Sequence, residues 1–390
     1  MQLPLRHLLF AAMLLAALLC AAFAPAQATP ITPTSDEQVI EVIPGGAGRA
    51  EERRLKRALS RQPQDAKLAV QLARRYMAEA RASGDPRPAG QALAALKPWP
   101  DPATAPIDVL LMQATVQQYL HDFDGAAALL QQLLARDPAQ PQAWLTLATI
   151  RRVQGLYAES DGGCNRLAAL RVDLYAAACR AENDALRGRY EPARKDLQVL
   201  LANPSLDGDS RNWLLTTLAE LEELAGRPEA ADAAYRSALA ASDDAYTRTA
   251  YADLLITLHR EADALALLRD QPRTDAVLLR VAIAGTRAKS PGAARDAAEM
   301  RERIAQANLR PEARGVHARE QSMFALQVEA QPAHALDLAR LNLRSQREPI
   351  DLRIFAQAAR AAGQPAALQE LDKLRQDIGL QDSRLAEATR

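Results

Sequence analysis

The chain repeats itself at a nearly constant interval, and this period constrains its fold more than any other feature. Small or apolar side chains recur at Ala89, Ala126, Ser160, Ala193, Ala231, Ala264, Ala297, Ala335 and Leu368, with successive position differences of 37, 34, 33, 38, 33, 33, 38 and 33. Five residues before each stand Gly84, His121, Gly155, Gly188, Gly226, His259, Gly292, Ala330 and Gly363. Six glycines in nine places is a strong enrichment for a chain that holds only 17 in 390 residues. A helix that must stop sharply needs a left-handed residue at its C-terminus, which glycine supplies without steric penalty. Two residues further on come Pro86, Phe123, Tyr157, Tyr190, Pro228, Pro332 and Pro365. Proline there opens the following helix, where its missing N–H costs nothing. Between these marks apolar residues recur at three and four, as in Leu110, Leu111, Ala114 and then Leu129, Leu130, Leu133, Leu134. Nothing beyond Ala66 reads as a strand. Each period is therefore a helical hairpin, with loop insertions at Asn203–Arg211 and Gln306–Gly315 accounting for longer spacings.

This punctuation resembles that of the tetratricopeptide-repeat (TPR) family. The fullest match is Trp144, Leu147, Ala148, Gly155, Tyr157 and Ser160, and the preceding repeat ends on Ala126 and Asp137-Pro138. The resemblance spans residues 66–386 and implies an all-α solenoid of about nine repeats wound into a right-handed superhelix. First helices would line a concave surface, and each hairpin would be stable only when stacked on its neighbours. The motif is degenerate. Where the family carries a bulky residue four past the anchor, this chain has Leu93, Leu130, Cys164, Leu197, Tyr235, Leu268, Arg301, Ala339 and Asp372. The last three are poor, so hairpins after Arg287 are expected to follow either this pattern or a related one.

The N-terminus supplies an address. Arg6 and His7 precede an apolar run from Leu8 to Ala24, followed by Pro25 and Ala26-Gln27-Ala28. A short basic head, an apolar core and an A-x-A site define a secretory signal peptide over residues 1–28. The expected location is the periplasm, with secretion as the alternative. A flexible leader is expected over 29–48 and an N-terminal amphipathic helix within 49–65. Removing the signal takes away one basic residue, leaving 47 against 48 acidic ones, a net charge of −1. That balance argues against a nucleic-acid partner, whose binding domain is normally strongly basic. No later segment is apolar enough to span a bilayer.

Cleavage also leaves two cysteines, Cys164 and Cys179, in an oxidising compartment. They lie equidistant from the Leu170–Asp173 turn, so they face one another across an antiparallel pair of helices. We expect a disulfide; the alternative is two buried thiols acting as small core residues.

Catalytic signatures are missing from the sequence. There is no G-x-S-x-G, H-E-x-x-H or C-x-x-C, and no phosphate-binding glycine loop ending in Lys. His121, His259, His317 and His334 show no metal-ligand spacing. No cofactor, metal or enzymatic activity is expected. Three in-phase pairs stand out instead. Tyr175, Trp213 and Tyr246 lie eighteen residues before consecutive anchors, and Glu182, Glu220 and Asp253 eleven before them. Members of a pair are seven apart, about two helical turns, and so share a face. By the family resemblance that face is the concave one, with Glu223 nearby and Tyr119 and Arg152 towards the N-terminal end. Such a groove would suit an extended or helical protein segment carrying Lys or Arg between apolar residues. The competing expectations are aromatics that merely pack between repeats, envelope carbohydrate bound to or cleaved on the same rings, and a self-assembling structural array. Gly162-Gly163 inside a second helix has no explanation in the sequence.

Overall fold

The computed structural model describes residues 47–309, 315 and 317–388. The expected signal peptide, nearly all of the leader and part of the 306–315 loop lie outside the described residues. The chain divides into Met1–Glu51, of which only the start of a helix is described, and a compact unit, Glu52–Arg390. Among the described residues there are twenty helices and no strand.

Helix α1 (Ala47–Arg61) is followed by nine consecutive hairpins. The first three are α2 (Ala66–Ser83) with α3 (Arg87–Leu96), α4 (Ile107–Tyr119) with α5 (Phe123–Arg136), and α6 (Pro141–Val153) with α7 (Tyr157–Ala169). The middle three are α8 (Asp173–Leu186) with α9 (Tyr190–Leu201), α10 (Gly208–Leu224) with α11 (Pro228–Ala241), and α12 (Ala245–Thr257) with α13 (Glu261–Leu268). The last three are α14 (Asp275–Ala288) with α15 (Ala293–Asn308), α16 (Ala318–Gln327) with α17 (Pro332–Asn342), and α18 (Pro349–Ala361) with α19 (Pro365–Ile378). A short α20 (Ser383–Ala388) ends the described chain. Each second helix carries one of the nine anchors, so the periodic reading gives the hairpin number and order that the structure has.

The turn chemistry follows the same phase. All nine turn positions have positive φ, from 52° at Ala330 to 107° at Gly292, including the non-glycine His121 and His259. After α10, for example, the Arg227 N–H reaches back to the Glu222 carbonyl at 2.8 Å, closing the helix end around Gly226. Some helix starts are capped by carboxylates: Asp122 accepts from the Gly125 amide at 3.0 Å and Asp207 from the Ser210 amide at 2.7 Å. The core forms from facing hairpin surfaces, with Leu110, Leu130, Ile150, Leu197, Leu214, Tyr235, Leu278 and Phe355 fully buried. Two late hairpins depart from the expected register. Arg301 and Asp372 are exposed, and Met300 and Leu371, one residue earlier, are buried in their place. A helix rotated by one residue presents its neighbouring side chain inward, so these hairpins still stack although their motif fails.

The expected disulfide is formed. Cys164 in α7 and Cys179 in α8 have Cα atoms 5.7 Å apart and sit buried beside Ala148. One of the two unexplained glycines is accounted for nearby. A Cβ on Gly163 would lie 2.8 Å from Ala148 Cβ and 3.1 Å from the Trp144 carbonyl, so α6 and α7 approach too closely for any side chain. Gly162 is exposed with open space around it, and nothing in the structure requires it.

The array also folds back on itself. The Arg347 N–H donates to the Val153 carbonyl at 2.7 Å and its guanidinium to the Gln154 carbonyl at 3.1 Å. The Gln381 N–H donates to Leu186 O at 2.8 Å, and the Ser383 hydroxyl to Leu224 O at 2.9 Å. These acceptors are C-terminal carbonyls of α6, α8 and α10, groups that a helix leaves without an internal partner. The glycine turns are where the two arms touch. A Cβ on Gly84 would meet Thr274 at 2.8 Å, and one on Gly226 would meet Ser383 at 2.8 Å. Hairpin one thus meets hairpin seven, and hairpin three meets the start of hairpin nine, so about six hairpins complete one turn of this unit.

Candidate binding chamber

Closure of the array converts an open groove into a chamber of about 910 Å³. One wall comes from α6, α8, α10 and α12, the other from α14, α16, α18 and α20. Of the nine residues singled out from the sequence, seven line it: Arg152, Glu182, Trp213, Glu220, Glu223, Tyr246 and Asp253. Tyr175 is absent from the lining but packs against Trp213 with the rings tilted by 31° and their centres 5.4 Å apart. Tyr119 does not join them. Its hydroxyl donates to the Ala80 carbonyl at 3.0 Å in the packing between the first two hairpins.

Repeat phase explains the first wall. Trp213 and Glu220 lie two turns apart on α10, and Tyr246 and Asp253 on α12, so both pairs face inward from adjacent first helices. The ring of Tyr246 stands in the chamber with 61% of its surface open. Its hydroxyl donates to Glu220 Oε1 at 2.5 Å.

The acids do not form a free ladder. Glu182 pairs with Arg152 at 2.5 Å. Asp253 takes a two-pronged contact from Arg280 at 3.0 and 2.7 Å. Glu223 accepts from the Tyr235 hydroxyl at 2.7 Å and pairs with Arg384. Glu348 meets Arg319 at 2.5 Å, and the same guanidinium grips buried Asp351 at 2.6 and 2.8 Å. Glu220 is different, having Tyr246 as its partner and no cation among the described residues. Burial first, and then the carboxylates of Glu182, Glu223 and Glu348, push its carboxyl up to about 8, against the opposing effect of the Tyr246 hydrogen bond. Burial also raises Glu182, with Arg152 opposing.

The second wall was not foreseen. Arg280, Arg319, Glu348, Arg353 and Arg384 all line the chamber. One signal was available, since Arg319 and Arg353 stand 34 residues apart, within one residue of the same phase on consecutive first helices. Tyr157 also lines the chamber, with its hydroxyl buried and lacking a hydrogen-bond partner. Among the described residues no group of three or more His, Cys, Asp or Glu is placed to hold a metal ion. No helix among them is long and apolar enough to cross a membrane.

Nine stacked hairpins of one repeat period each, turned on left-handed residues and packed through small anchors, decide the architecture. It is a TPR-like α-solenoid. No protein-family model matches the sequence, and neither does any curated protein. Among solved structures, the array is similar to a tetratricopeptide repeat protein from Parabacteroides merdae. That match has 16% identity over 57% of this chain and 84% of that one, with a TM-score of 0.44. It is similar as well to the human IFIT1 dimer with m7Gppp-AAAA, at 12% identity, 84% and 78% coverage and a TM-score of 0.45. The APC/C hetero-tetramer Cut9-Hcn1 matches at 13% identity over 80% of this chain and 52% of that one, with a TM-score of 0.42.

Proposed function

We propose that the TPR-like array is a non-enzymatic binding protein that captures a short polypeptide segment in its chamber. The observation that carries this reading is the wall of Trp213, Tyr246 and Glu220 facing a cavity of about 910 Å³. That size falls within the roughly 300–1,000 Å³ of ordinary ligand sites, which combine apolar walls with a few placed polar groups. The rings offer rigid contact area to apolar side chains, and Glu220 offers a carboxyl to a cationic one. Because the array closes on itself, the occupant is a chain end or short loop, not a long segment laid along an open groove. The protein acts in the periplasm, with secretion the alternative. The signal-like N-terminus and the Cys164–Cys179 bridge support that location.

The test uses an array of immobilised hexapeptides that place Lys or Arg between apolar residues. Trp213→Ala and Glu220→Lys are made separately, and each is checked for native helical content. Capture is expected to fall at least tenfold in both; undiminished capture by both folded variants removes the chamber as the site.

A second reading has one observation in its favour. Glu220 is a carboxyl that burial raises above its ordinary range, the property a glycoside hydrolase uses in its proton donor. Against it, the chamber's Glu182, Glu223, Asp253 and Glu348 are each tied to an arginine, as Asp243 is, while Asp244 is taken up by the start of α12 and Asp209 by the Ser242 hydroxyl. Release of soluble fragments from purified peptidoglycan, abolished by Glu220→Gln, would establish this reading in place of the first.

A further inference from the structure

Charge in the chamber is almost entirely paired off, and what remains unpaired describes a ligand. Arg152, Arg280, Arg319 and Arg384 each hold a carboxylate. Among the carboxylates, Asp243 is tied to Arg248, Asp244 caps α12 through the Thr247 amide, and Asp209 accepts from Ser242 at the exposed start of α10. Two groups are left over, on opposite walls. Glu220 on α10 has a phenol for its partner. Arg353 on α18 makes no side-chain hydrogen bond or ion pair among the described residues, and its Nε is buried without an acceptor. An unpaired ion out of water is costly, and chains ordinarily pair it or satisfy it by hydrogen bonds. A lone carboxyl and a lone guanidinium in one cavity, one on each wall, are complementary to a molecule bearing one cation and one anion.

The geometry points to a short peptide with free ends as the chamber's ligand, its ammonium at Glu220 and its carboxylate at Arg353, with apolar side chains against Trp213 and Tyr246. This rests on the chamber being the binding site and goes beyond it, because it replaces a cationic side chain with the two termini as the groups recognised. Arg353 suits a carboxylate, since a guanidinium offers a planar fork of donors that grips both oxygens. Burial and neighbouring Arg384 push the Arg353 guanidinium down, a strain that an arriving anion relieves. On the other wall, the ammonium draws Glu220 from its protonated to its ionised form, so binding near neutral pH releases a proton. The groups facing Glu220 are Glu182 on α8, Glu223 on α10, Tyr246 on α12 and Glu348 before α18. Three of these are acids that resist its ionisation, and the incoming cation offsets them.

The experiment is titration calorimetry of the oxidised full-length mature chain with tri- to hexapeptides of alternating Ala and Leu. Each peptide is prepared free, N-acetylated and C-amidated. At the best length, acetylation and amidation are each expected to weaken binding at least tenfold. In Glu220→Gln, acetylation stops mattering while amidation still does; in Arg353→Gln the pattern reverses. Heats for the free peptide are expected to vary with the buffer's ionisation enthalpy in the wild type and not in Glu220→Gln. Neither substitution removes a counter-ion, and circular dichroism confirms that both variants fold. Blocked peptides binding as tightly as free ones, with that binding lost in Trp213→Ala, would overturn end recognition and leave the chamber standing. Equal binding of free and blocked peptides that Trp213→Ala does not weaken would overturn both, as would binding by none of them.

Discussion

Adjacent glycines in α7 provide a pair of substitutions with nearly equal chemistry and opposed outcomes. In a helix interior, Gly→Ala gains about 1 kcal/mol from propensity alone. At Gly162 nothing lies within 4 Å of the new methyl, so Gly162→Ala should stabilise the protein by about that amount. At Gly163 the same gain is opposed by contact. The methyl would sit 2.8 Å from Ala148 Cβ and 3.1 Å from the Trp144 carbonyl, and neither neighbour has a flexible end to move aside. Helices α6 and α7 must separate, and overpacking of this kind costs roughly 1–3 kcal/mol. Gly163→Ala should therefore be neutral to destabilising by about 2 kcal/mol, placing the two variants about 1–3 kcal/mol apart. Urea unfolding followed by circular dichroism measures the difference as a shift of midpoint at unchanged slope. If Gly163→Ala is stabilised as much as Gly162→Ala, the close approach of α6 and α7 is refuted.

Other expectations follow from the same contacts. The oxidised protein should show no thiol reactive to a thiol reagent after denaturation, and Cys164→Ser with Cys179→Ser should lower stability by about 3 kcal/mol through the 15-residue loop the bridge closes; two titratable thiols would refute the bridge. Arg319→Met leaves Asp351 buried without its guanidinium and should cost about 3–5 kcal/mol, and adding Asp351→Asn should recover part of that in thermal unfolding. Glu220 has a folded pKa raised from 4.5 to about 8, so its favourable contribution is complete below pH 4.5 and is lost as pH rises towards 8. Glu220→Gln should accordingly lose less stability than the wild type between pH 5 and pH 8, and parallel profiles would contradict this.

Much of the fold was legible because its information is local. Gly155, Gly188 and Gly226 mark helix ends in the sequence, and those positions do take left-handed φ. Tyr175, Trp213 and Tyr246, read by phase alone, do stand on consecutive first helices. Tyr119 went astray because phase does not say which side chain a neighbouring hairpin will cover, and Arg301 and Asp372 because a one-residue rotation leaves the period untouched. Gly163 was opaque because a close approach between helices carries no pattern along the chain.

The sequence by itself determined the number of hairpins, their order, the residues at their turns and one wall of the chamber. Each depends on residues within a single period, where turn chemistry and apolar spacing act directly on the backbone. Tertiary structure alone decided that Arg347, Gln381 and Ser383 would cap the ends of α6, α8 and α10, helices laid down several repeats earlier. It alone decided that Arg280, Arg319 and Arg384 would neutralise acids lining the chamber, leaving Glu220 and Arg353 unpaired. The reason is that curvature is a small rotation summed over stacked repeats. Where two hairpins six apart come to meet depends on that sum, and no periodic signal in the sequence records it.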